Sequence, residues 1–270
     1  MDPTARCPSR PMRLRWPALC LGLALSVPVS AQIVTYQGIA YDPDDSAEVL
    51  YRESHYLLLD DRGQEQERWV LYRCPEGPAF ARKRIDHRSD PLRPSFELYD
   101  ARLNYTEGLQ NGPDRDLVYV QDGDEGRQSE ALRLTEQAVA DAGFDQFVRL
   151  NWDTLQRGDK LRFDFLVPSR LSVLSFKVQK THTHTVDGQP ASVFRLGLSG
   201  VLGWFVSGID VTYRDSDRQL LEFEGLSNVR DPDGDNYVAR IVFPDTERQN
   251  GQADALTLAQ NEPLVSSCSP

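Results

Sequence analysis

The sequence predicts a mainly β protein: an antiparallel meander forming a curved sheet or half-barrel, with one amphipathic helix packed on it. Three observations predict it. Apolar and polar residues alternate with period two over many short stretches. Turn-forming residues separate those stretches at short intervals. A single 3.6-period stripe stands between two sets of strands. At 40% hydrophobic and 26% charged, the composition is that of a globular chain and excludes collagen, a coiled coil and wholesale disorder.

Residues 1–31 have the pattern of an export signal. Arg6, Arg10, Arg13 and Arg15 stand against one acid, Asp2, and residues 16–29 carry no charge. Val29-Ser30-Ala31 is the small-x-small junction read by signal peptidase. The apolar run is shorter than the roughly 20 residues a helix needs to cross a bilayer. Met12 is an alternative start, since Arg13 and Arg15 already supply a basic region. Leu19, before Cys20, is too large for lipoprotein processing. The expected mature chain begins at Gln32 and is periplasmic or secreted.

Alternation places strands at residues 48–59, 67–74, 80–87, 94–100, 102–109 and 116–121. Asp60-Asp61-Arg62-Gly63, Pro75-Glu76-Gly77-Pro78 and Asn111-Gly112-Pro113-Asp114 are the turns between several of them. Phe144, Phe147, Val148, Trp152 and Leu155 line one face of a helix, with Asp141 expected as N-cap and Gly158 as its stop. Strands resume at residues 161–167, 174–179, 193–198, 209–214, 219–227 and 237–243, with Asp187-Gly188 as a two-residue hairpin. Residues 32–243 read as a single β-rich domain. Two smaller sheets divided near residue 128 are the alternative. Residues 244–270 lose periodicity and read as a flexible polar tail.

Removing residues 1–31 takes away four arginines and one aspartate, leaving 26 basic against 40 acidic side chains and a net charge of −14. Such a surface repels phosphate backbones, so no nucleic-acid partner is expected. Arg82, Lys83 and Arg84 form the densest basic spot and read as a solvated strand face. Only Cys74 and Cys268 remain after cleavage, and an oxidising compartment favours their pairing as a disulfide.

Phe144-Asp145-Gln146-Phe147-Val148, Phe163-Asp164-Phe165-Leu166-Val167-Pro168-Ser169-Arg170, Gly203-Trp204-Phe205, Ile209-Asp210-Val211-Thr212-Tyr213 and Phe223-Glu224-Gly225-Leu226 carry a likeness of general pattern over residues 34–243. On these the chain resembles uncharacterised exported proteobacterial β-rich proteins, and more distantly the half-barrel periplasmic lipoprotein carriers. The resemblance implies fold and compartment. The carriers bind acyl chains, but no motif here is catalytic.

Three stretches hold candidate sites. His182 and His184, two apart on a strand, share a row with Leu174, Phe176 and Val178 and would offer two imidazoles to a metal at a sheet mouth. Asp231, Asp233 and Asp235 offer oxygen ligands for calcium, although position 242, where an EF-hand has glutamate, is Val242. The bland readings are a solvated strand end and an Asp-Gly turn. The third stretch, residues 198–209, is apolar, uncharged and punctuated by glycine. There Leu202, Trp204, Phe205 and Val206 would form a lid or lining over a ligand cavity, or else plug the core.

No Walker loop, Rossmann glycine pattern or His-Glu-x-x-His is present, so no cofactor is expected. The leading reading is a non-enzymatic binding or carrier protein for a lipid or another hydrophobic small molecule. An envelope assembly or protein-interaction module is one alternative. A hydrolase or metal-dependent enzyme without recognisable motifs is the other. N-terminal sequencing of protein exported by its own host should read from Gln32, and an intact segment 1–31 in the membrane fraction would overturn the signal assignment.

Overall fold

The computed structural model describes residues 32–199 and 208–268. The expected signal segment, and Leu202, Trp204, Phe205 and Val206, lie outside the described residues.

The chain enters at the middle of its sheet. Strand β1 (Gln32–Tyr41) pairs with β2 (Val49–Leu59), and β3 (Glu65–Arg73), β4 (Ala79–Asp86), β5 (Ser95–Asp100), β6 (Tyr105–Gln110), β7 (Asp116–Gln121) and β8 (Gln128–Leu132) follow as an antiparallel meander. A short strand β9 (Ala138–Val139) and two helices, α1 (Gly143–Leu150) and α2 (Trp152–Gln156), lead to the opposite edge. From there β10 (Leu161–Val167), β11 (Ser172–Val186), β12 (Gln189–Leu198), β13 (Ile209–Arg214), β14 (Leu220–Arg230) and β15 (Asn236–Val242) meander back to β1. The β1–β15 pairing, Ile39 opposite Val242, makes one sheet, not two. Its edges are β8 and β9, and β9 pairs parallel to β10. The N-terminal strand β1 and the short edges β8 and β9 escaped the alternation because their apolar residues are few or irregularly spaced.

One face of each half turns inward. Leu57, Val70, Tyr72, Ala81 and Leu98 pack with Ile241 and Phe243 across the β1–β15 seam. Val139, Phe144, Val148, Trp152 and Leu155 pack on Phe163, Phe194, Val211 and Tyr213. The end of β10 and its following turn, through Leu166 and Leu171, meet Ile85, Phe96, Leu109 and Val118 of β4–β7. The sheet therefore curls until its later strands lie over the inner face of its earlier ones, with the helices in the trough.

The expected single helix is two. It breaks at Asn151, whose side-chain amide donates to the Phe147 carbonyl at 2.9 Å in competition with the backbone ladder. Ala142, not Asp141, is the N-cap; Asp141 has left-handed φ of 45° and sends its carboxylate to Lys83. Gly158, φ 86°, ends the helical segment as its lack of a Cβ allows.

The C-terminal segment is not a loose tail. Strand β16 (Gln249–Asn250) pairs with β1, and α3 (Ala255–Asn261) lies on the outer face of β2 and β3. Ala259 packs on Leu71 and Ala79. Arg73 forks onto the Glu262 carboxylate, and Arg82 donates to the carbonyls of Ala259 and Glu262 at the helix end. Cys74 and Cys268 form the expected disulfide. Polar composition hid this segment because it docks with a few scattered apolar residues, Ala259, Leu264 and Val265, two arginines and a covalent bond.

The basic run 82–84 is likewise not one solvated face. Strand alternation sends Arg82 and Arg84 outward and Lys83 inward, where it is 6% exposed. Replacing Cys268 by Ser should lower unfolding stability by about 2–5 kcal/mol, read by denaturant titration. Leu71→Ala, beneath α3, should add a separate loss of about 2–5 kcal/mol.

Candidate functional site

The inner face carries a buried charged cluster. Glu53, His55, Lys83 and Glu107 project from β2, β4 and β6 and are each 6% exposed. Lys83 Nζ lies 2.8 Å from Asp141 Oδ2, and Asn228 donates to the same oxygen. The Tyr105 hydroxyl donates to Glu107 at 2.7 Å. Burial raises the Glu107 carboxyl above its usual range, against the opposing pull of Tyr105 and Lys83. His55 Nε2 is 2.7 Å from Glu53 Oε2, and its ring is stacked on Tyr36 at 4.3 Å with Phe243 at its edge. Burial lowers the His55 pKa more than Glu53 restores it. Its Nδ1 has no partner among the described residues. Beside this cluster Arg68 grips Glu65 with two nitrogens, at 2.7 and 2.6 Å. Burial alone would raise Glu65, but Arg68 and His87 hold it well below the carboxylate range. The Glu53–His55 pair has the form of a base and its orienting carboxylate, yet no hydroxyl or thiol bonds Nδ1, and the ring lies between aromatic side chains. The cluster ties strands to helix: Lys83 of β4 reaches Asp141, the residue before the N-cap of α1.

The outer face carries a groove of about 660 Å3. It spans β3 to β7 and is lined by Trp69, Arg84, Glu97, Tyr99 and Tyr119, with Gln260 of α3 at one side. Alternation builds its floor. Trp69, Arg84, Glu97 and Tyr119 fall on one cross-strand row, each outward because its neighbours in sequence point in. The row passes through Gly108, where a Cβ would stand 2.4 Å from the Phe96 carbonyl and 2.5 Å from the Tyr119 hydroxyl. Glycine there lets the Tyr119 ring cross β6 and donate to Glu97 at 2.9 Å. Arg127 covers that ring at 4.4 Å, and Arg84 lies 5.8 Å over Trp69. Arg84 also bonds Glu67, which accepts from the Trp69 indole. The groove is thus an aromatic floor held by guanidinium–carboxylate pairs, and its size suits a small ligand.

The sequence-expected residues do not meet here. The β11–β12 hairpin has a bulge between Lys180 and His182. One extra residue reverses parity, so His182 and His184 leave the row of Phe176 and Val178; residues 181–185 are exposed on both parities, and the two rings lie 5.6 Å apart. The Asp231 carboxylate accepts the backbone amides of Asp233 and Asp235 at 2.9 and 3.0 Å, which closes the β14–β15 turn. Among the described residues no three His, Cys, Asp or Glu side chains are grouped to hold a metal. The groove residues were missed because they come from five strands. Their one signal was aromatic residues, Trp69, Tyr99 and Tyr119, at positions of solvent-facing parity.

No protein-family model matches the chain. No curated protein matches it either. Among solved structures it is similar to a protein of Brucella abortus described as a beta-barrel-like protein of domain of unknown function DUF1849, with TM-score 0.50 and 7% identity, covering 83% of this chain and 100% of that one. The fold is beta-barrel-like. The likeness agrees with the resemblance to uncharacterised β-rich proteobacterial proteins and does not reach the lipoprotein carriers. Within this beta-barrel-like fold the sheet stays open at β8 and β9, and the described helices are too short and polar to cross a membrane. Lys83→Met should strand the buried Asp141 charge and cost about 3–5 kcal/mol in denaturant titration. Adding Asp141→Asn should recover much of that loss, and a failure to do so would show that the two groups are not coupled.

Proposed function

We propose that the protein is a non-enzymatic periplasmic binding or carrier protein for an amphiphilic small molecule, held in the outer groove. The observation that carries this reading is the groove itself: about 660 Å3, with Trp69, Tyr99 and Tyr119 beside Arg84 and Glu97. Aromatic rings take the apolar side of a ligand, and neighbouring charged and amide groups fix its polar side. The export signal expected over residues 1–31 and the mature net charge of −14 support a soluble envelope protein that avoids polyanions. The lid expected from Trp204 and Phe205 is not needed for this reading.

Native mass spectrometry of protein isolated from its own cell envelope should show a retained small molecule. Its occupancy should fall about tenfold in Tyr99→Ala, a change of some 1.4 kcal/mol in binding. A retained molecule unaffected by Tyr99, or none on the wild type, would reject the groove as the binding site.

A further inference from the structure

We propose that the groove ligand is a neutral saccharide of a few rings. This rests on the groove being the binding site, and it adds the chemical class.

The argument starts from charge. Among the groove's lining residues two arginines, Arg82 and Arg84, meet two carboxylates, Asp86 and Glu97. Arg82 is spent on the carbonyls that end α3. Arg84 is bonded to Glu67 and lies 3.7 Å from Asp86. Arg127, over the Tyr119 ring, lies 4.0 Å from Glu97. Among the described residues at the groove no unbalanced cation remains to select a phosphate or carboxylate ligand, and the acids are matched against selecting a cation. The second argument is desolvation. An acyl chain laid on this floor would cover Arg84 and Glu97, whose side chains are about half exposed, and would return no hydrogen bonds. A sugar ring offers a C–H face to an aromatic side chain and a rim of hydroxyls that donate and accept. The groove supplies both halves. Tyr99 is 38% exposed on its floor. Glu97 accepts, Arg84 donates, and the amides of Gln110 and Gln260 do both. The third argument is shape. The groove crosses five strands as an open trench, walled on one side by α3, which suits a short chain laid along it.

The test is calorimetric titration of the intact mature protein with cellotetraose, maltotetraose and chitotetraose, and separately with sodium laurate. At least one tetrasaccharide should bind with a dissociation constant between about 10 μM and 1 mM. Tyr99→Ala and Glu97→Gln should each weaken it by about tenfold. Leu226→Ala, on the outer face of β14 away from the groove, should leave it unchanged. Circular dichroism melts of the variants identify any that fail to fold, and Glu97→Gln keeps an acceptor for Tyr119. No tetrasaccharide binding up to about 5 mM overturns the saccharide assignment. Tyr99-dependent binding of laurate alone overturns it while leaving the groove as the site. Saccharide binding that both groove variants leave unchanged overturns the placement.

Discussion

The arrangement depends on covering one face of a long open sheet. A meander of this length presents a continuous apolar face, and an uncovered face of that size would aggregate. The chain solves this by curling. The connection from edge strand β9 to its neighbour β10 carries α1 and α2 into the trough, where Phe144, Val148, Trp152 and Leu155 are buried against the later strands. The Lys83–Asp141 pair holds the start of α1 to an earlier strand. A buried pair of this kind adds little net stability over apolar packing, but breaking it is costly, so it specifies where the helix sits.

The outer face is covered differently, and only in part. Over β2 and β3 it is shielded by α3, which is too short to be stable alone. Arg73, Arg82 and the Cys74–Cys268 bond hold it there. Beyond α3 the face is left open, and this boundary is what makes a groove. The disulfide thus bears on the groove through geometry: it fixes the segment that supplies the Gln260 wall. The ends of the described chain, one in the central strand β1 and one tied beside β3, are both anchored in the same half of the sheet.

Buried polar groups are concentrated in that half. Glu53, His55, Lys83 and Glu107 occupy inner positions where the other half has Phe163, Val178, Phe194 and Val211. The polar side is satisfied chiefly by partners across the trough or along the strand, although His55 Nδ1 has no hydrogen-bond partner among the described residues. Stacking on Tyr36 and the edge of Phe243 hold that ring together with its Nε2 bond to Glu53.

Local pattern alone determined most of the strands, the turns at Asp60–Gly63 and Asp187-Gly188, the amphipathic segment before Gly158 and the use of Cys74 and Cys268. These are properties of neighbouring residues: alternation, turn chemistry, a stripe, and the scarcity of cysteine. Tertiary structure decided what no window of sequence contains. The β1–β15 seam joins residues some two hundred positions apart, a pairing no local signal encodes. The bulge before His182 took the histidines off the row of Phe176 and Val178, because a one-residue shift reverses every side chain beyond it. Lys83 looked solvated among arginines until its strand was given a face. The groove needed five strands in register and a glycine at position 108, so Trp69, Tyr99 and Tyr119 were visible as residues and invisible as a site. The physical reason is the same throughout: hydrogen-bonded pairing sets faces, and faces, not sequence neighbours, bring side chains together.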